Sequence, residues 1–231
     1  DDDLSTLAGT DQASARSLGE LYQLRGQGII RTTTNNTAYP ADQSKFRAAL
    51  RDLTTALSKT PWQPAAFYWR AVCQAKLTKP AYEAVQRDME ACLQLQDPTE
   101  ACAWFRLGRA QLQLKRYNLA VESTSRALRV LDKHGGAQQS TETELIFGLR
   151  SEVLLCRGLA TLSAGNGKPS AAATMDFSQI ATDDPELPAR WLGDADLGFA
   201  AVTELHQAFA ENAFVSQRYA QGLIVKGAAE A

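Results

Sequence analysis

ACAWFRLGRAQLQLKRYNLAVESTSRALRVLDK, residues 101–133, decides the fold. Trp104, Leu107 and Gly108 recur at helical spacing, and Tyr117, Ala120 and Ala127 do so in the segment that follows. The logic is steric. Small side chains at Gly108, Ala120 and Ala127 let two antiparallel helices approach closely, while Trp104, Leu107 and Tyr117 fill the remaining space. A helix pair of this kind cannot bury its apolar face alone, so neighbouring pairs must supply the rest of the core.

Working outward, the pattern of the second helix recurs as Phe46, Ala49, Leu53, Ala56 and Pro61 in FRAALRDLTTALSKTP, and as Tyr82, Ala84, Ala91 and Pro98 in AYEAVQRDMEACLQLQDP. The steps from Ala49 to Ala84 and from Ala84 to Ala120 are 35 and 36 residues. The pattern of the first helix recurs as Tyr22, Arg25, Gly26 and Ile29, then as Phe67, Arg70 and Ala71, with Arg where Leu107 stands in the clean copy. LLCRGLATLSAGN and AAATMDFSQIATDDP supply a fourth unit through Arg157, Gly158, Ala173, Phe177, Ile180 and Pro185. Its first helix reads as long, from an N-cap at Ser140 or Thr141, with Glu144 closing a capping box, to about Leu162. Asp88 stands where the second helix of the second unit normally places an apolar residue, so either the register is off by one there or the helix turns differently.

W-x2-L-G followed by Y, A and A, recurring at this period, resembles the tetratricopeptide repeat, a 34-residue helix–turn–helix unit. The resemblance implies an all-α fold: an α-solenoid, a right-handed superhelix of about four helix pairs with a degenerate last repeat and a C-terminal capping helix. On that reading residues 1–13 are a flexible acidic N-terminus and 14–231 a single helical domain, with repeats at about 19–63, 64–100, 101–134 and 140–187. Residues 188–231 form the degenerate repeat and cap, unless Phe214, Val215, Tyr219, Leu223 and Ile224 dock a partner. Thr32 to Ser44 reads as an insertion between the two helices of the first repeat.

Composition fits a helical chain: of 231 residues 45% are hydrophobic and 22% charged, enough to bury a core. The formal net charge of −2 disfavours nucleic acid and anionic lipid as partners, because both attract a basic excess. No apolar run reaches membrane-spanning length, and Asp1-Asp2-Asp3 is the opposite of a basic signal-peptide start. Cys73, Cys92, Cys102 and Cys156 show no C-x-x-C pair and no adjacent His, which points to buried thiols in a reducing, cytoplasmic setting without zinc or another cofactor. The sequon Asn35-Asn36-Thr37 is inert on that reading. The missing initiator Met marks a processed product or a piece of a longer protein.

Catalytic chemistry has little to stand on. The two histidines, His134 and His206, lack ligand-like neighbours, and Gly165 to Lys168 fails the phosphate-loop pattern at Leu162 and Pro169. Asp183-Asp184-Pro185-Glu186 lacks the alternating ligands of a calcium loop. The chain therefore reads as a non-enzymatic scaffold or adaptor, the alternative being a regulatory repeat domain of a larger enzyme or co-chaperone.

The resemblance implies a concave groove lined by first helices. Carried over by position, it contains Gln23, Gln27 and Arg31, then Tyr68, Val72 and Lys76, then Phe105, Arg106, Arg109 and Gln113. Four cations and two aromatics there suit an acidic peptide, since guanidinium forks bind carboxylates bidentately. Co-chaperones of this family grip acidic heat-shock-protein tails with Lys and Asn on the first repeat, Asn on the second, and Lys and Arg on the third. The matching places here hold Gln23, Gln27, Trp69, Cys102 and Arg106, so only the last agrees.

Overall fold

A computed structural model describes residues 12–34, 43–95, 101–133, 149–165 and 170–183, with the side chains of 12–15, 17 and 31–34 outside the description. Among these residues the regular structure is helical throughout: α1 (Gln12–Thr34), α2 (Gln43–Lys59), α3 (Pro64–Lys76), α4 (Tyr82–Leu95), α5 (Ala101–Gln113), α6 (Tyr117–Lys133), α7 (Leu149–Ala164) and α8 (Ala171–Asp183). The chain divides into two compact units, Asp1–Ala110 and Gln111–Ala231. The fold is all-α, as the sequence predicts.

In the first unit α1 packs on α2, α2 on α3 and α3 on α4. The reason is the apolar spacing. Phe46, Ala49, Leu53 and Ala56 bury one strip of α2, and each large side chain so removed from water contributes on the order of 1.5–3 kcal/mol. Gly26 lets α1 come close, since a Cβ there would stand 2.8 Å from Leu53 Cγ, and Gly19 does the same against Thr60 Oγ1 at 2.5 Å. Pro64 opens α3 at a position where a missing N–H costs nothing. The N-cap residue Gln63 makes no side-chain cap, because its amide is engaged elsewhere: Nε2 donates to Gln23 Oε1 at 3.4 Å and Oε1 lies 3.1 Å from Thr60 Oγ1. The far end of α3 is closed from α2: Gln43 Nε2 donates to Lys76 O, and Thr78 N donates to Gln43 Oε1.

The Asp88 question resolves as a register error of one residue. Val85 is buried and Ala84 only half-buried, so Tyr82 and Val85 take the places of Tyr117 and Ala120, and of Phe46 and Ala49. Two further boundaries shift. α1 already begins at Gln12 and continues through Thr32 to Thr34, so the insertion begins after the helix rather than at Thr32.

In the second unit α6 packs on α7 and α7 on α8. Val153, Leu155, Leu162, Phe177 and Ile180 are fully buried, and a Cβ on Gly158 would stand 2.5 Å from Phe177 Cε1. The turn before α6 is a Schellman closure: Lys115 N donates to Leu112 O at 3.0 Å, and Arg116 N to Gln111 O at 2.8 Å. Lys115 occupies its left-handed position at φ 59°. The N-cap expected at Ser140 or Thr141, the loop of His134, the sequon, and all of residues 188–231 with the cap and His206 lie outside the described residues.

Candidate functional site

Most of the expected groove residues belong to α1, α3 and α5 of the first unit, and the structure sorts them by what they touch. Gln23 is buried; its Nε2 donates to Gln27 Oε1 at 3.1 Å while its Oε1 accepts from Gln63. Val72 is buried in the core with Trp69 and Leu107. Tyr68 and Phe105 are only 6% and 5% exposed, so these two aromatics offer a partner little surface. Tyr68 stands edge-on to Trp69, ring centroids 5.5 Å apart. The Arg31 side chain lies outside the description, and exposed Gln113 belongs to the second unit.

The cations are different. Arg106, half-buried, donates from Nε to Tyr68 Oη at 2.8 Å and carries its guanidinium carbon 5.3 Å from the Tyr68 ring centroid. That double contact orients the side chain from a neighbouring helix and adds a cation–π attraction of about 0.5–1 kcal/mol. Arg109, one turn further along α5, and Lys76, at the end of α3, are exposed. The structure thus joins Tyr68 to Arg106 directly, and leaves the positive charge rather than the aromatic rings facing water.

Asp52, Asp88 and Asp176 are polar residues that the sequence reading left unassigned or unexplained. They are 7%, 5% and 4% exposed, and each accepts a two-pronged contact from an Arg on the preceding first helix. Arg25 reaches Asp52 through Nε at 2.7 Å and Nη2 at 2.5 Å; Arg70 reaches Asp88 at 2.8 and 2.6 Å; Arg157 reaches Asp176 at 2.9 and 2.5 Å. Hydrogen bonding to these carboxylates holds the Arg25 and Arg157 guanidinium groups above their ordinary pKa range, against the opposing effect of burial. Arg25 and Arg70 also lie over the rings of Tyr22 and Phe67, at 5.3 and 5.5 Å. The available signal was the repetition itself, Arg before Gly or Ala in three first helices, each followed by an Asp one turn into the buried strip of the next helix.

All four cysteines are thiols, and burial pushes Cys73 up to about 12. Among the described residues no three His, Cys, Asp or Glu side chains converge as a metal site requires, and no helix is long and apolar enough to cross a membrane.

Comparison with known proteins follows the same lines. No family model matches the chain. Hsp70-Hsp90 organizing protein 2 of Arabidopsis thaliana is 34% identical over 86 residues, which are 37% of this chain and 14% of that protein, so the match spans only a small part of the relative's length. The structure titled "Functional Characterization of Pseudomonas Aeruginosa pilF" is similar with a TM-score of 0.51 and 18% identity, over 91% of this chain and 78% of that one. At that identity the likeness speaks for the fold alone.

Proposed function

We propose that the chain is a tetratricopeptide-repeat protein and a non-enzymatic scaffold, working in the cytoplasm, whose first helices hold an acidic segment of a protein partner. The observation that carries this reading is the pair of cations on α5, Arg106 oriented by Tyr68 and Arg109 exposed one turn further along, with Lys76 exposed at the end of α3. A partner carboxylate gains most from a guanidinium that is already ordered, because little rotamer freedom remains to be lost on binding. Tyr68 supports Arg106 and Phe105 is buried, so neither is an open anchor, which shifts specificity from apolar pockets to charge. Gln23 and Gln27 on α1 form a fixed amide pair.

A second reading, a repeat domain of a co-chaperone or larger enzyme, draws on the 86-residue likeness to Hsp70-Hsp90 organizing protein 2. Against it, the clamp positions hold Gln23, engaged with Gln27 and Gln63, and Trp69, buried at 7% exposure. The proposal is tested by capture from the native source on immobilised wild-type chain and on Arg106→Glu/Arg109→Glu, compared by quantitative mass spectrometry. Acidic-segment proteins present on the wild type and depleted from the variant support it. An identical captured set moves binding away from these cations.

A further inference from the structure

The three Arg–Asp pairs share one address in the repeat. Each Arg directly precedes the small residue of a first helix, Gly26, Ala71 or Gly158, and each Asp lies three residues after Ala49, Val85 or Ala173 in the buried strip of the second helix. At the remaining copy of this address both charges are absent together. Leu107 stands in place of the Arg and Ser123 in place of the Asp, and Ser123 Oγ donates instead to Gln111 Oε1 at 2.8 Å.

We infer that these ion pairs are registry keys: each fixes the rotation and axial position of one second helix on its first helix, without adding net stability. The apolar strips cannot do this alone. Phe46, Ala49, Leu53 and Ala56 repeat every three or four residues, so a slip of one turn still lays apolar on apolar. The same slip strands a buried carboxylate, and the two parallel N–H···O contacts of a guanidinium fork admit a single orientation. Desolvating both ions offsets much of their attraction, which separates registry from stability. In the sequence, the copy with Leu107 and Ser123 carries neither charge rather than one alone.

The test uses the full chain with Arg70→Leu, Asp88→Ser and the double variant, followed by thermal melting and amide NMR. Each single change leaves an uncompensated charge and lowers the melting midpoint by about 5–10 °C. The double variant regains at least half of the larger loss, yet its amides from residues 64 to 95 appear doubled or exchange-broadened. A double variant as unstable as the two singles combined overturns the proposal, since the pair is then a source of stability. So does a double variant with one sharp wild-type set of peaks. Should it fail to fold, Arg70→Lys keeps the charge and loses the fork: peak doubling there with a near wild-type melt supports the keys, and an undisturbed spectrum overturns them.

Discussion

In α7–α8 the ring of Phe177 stands where a Cβ on Gly158 would fall, whereas α3–α4 carries Ala71 at the same point of the repeat and Met89 in place of the ring. The ion pair beside this contact does not change: Arg157–Asp176 in one, Arg70–Asp88 in the other. A rigid aromatic needs the glycine. A flexible thioether accommodates one extra methyl group, because Met fills irregular space by rotation. These two repeats therefore differ in the size of their apolar residues around a polar contact that both keep.

The largest expected effect breaks the polar contact from one side. Asp176→Ala leaves Arg157 half-buried without its carboxylate and costs about 3–5 kcal/mol in chemical denaturation. Asp52→Ala costs somewhat less, since the Arg25 side chain is 38% exposed against 30% for Arg157 and water replaces part of the lost contact. Equal losses at the two sites would dissociate the penalty from the exposure of the arginine.

Next in size is the steric half of the comparison. Gly158→Ala forces Phe177 to move and costs about 1–3 kcal/mol, less up to about 1 kcal/mol returned by helix propensity. Gly28→Ala meets nothing within 4 Å and stabilises by about 0.5–1 kcal/mol. If both glycines respond alike to alanine, the close approach at Gly158 has no energetic weight. Smaller again is the turn before α6, where Lys115→Gly relieves the left-handed backbone and raises stability by about 0.5–1 kcal/mol, read from the same denaturation curves. An unchanged midpoint would show that the Lys115 side chain compensates for the strain.

The helix pairs α1–α2, α3–α4 and α7–α8 and the small-residue contacts at Gly26 and Gly158 were legible in the sequence, because Gly26, Gly158 and Ala49 have one steric use at helical spacing. The register of α4 was not. In YEAV both Ala84 and Val85 suit the close contact, and only packing shows that Val85 is the buried one. Asp88 looked misplaced because its reason lies 18 residues away on α3, a distance along the chain that helical periodicity does not sense. At the candidate site, Arg106 and Arg109 were legible as neighbouring cations, but the burial of Tyr68 and Phe105 was not. Each adjoins another aromatic, Trp69 or Trp104, and adjacent positions on a helix point in different directions that sequence alone assigns ambiguously.

The claim that the first-helix cations bind an acidic partner segment is tested most directly by calorimetric titration of a captured segment into wild-type chain and Arg106→Glu/Arg109→Glu, at two salt concentrations. The account predicts unchanged helicity and a melting midpoint lowered by no more than the Arg106–Tyr68 contacts contribute, about 0.5–1 kcal/mol, with affinity weakened by about 2 kcal/mol or more and a shallower salt dependence. Undiminished affinity in the variant would contradict it.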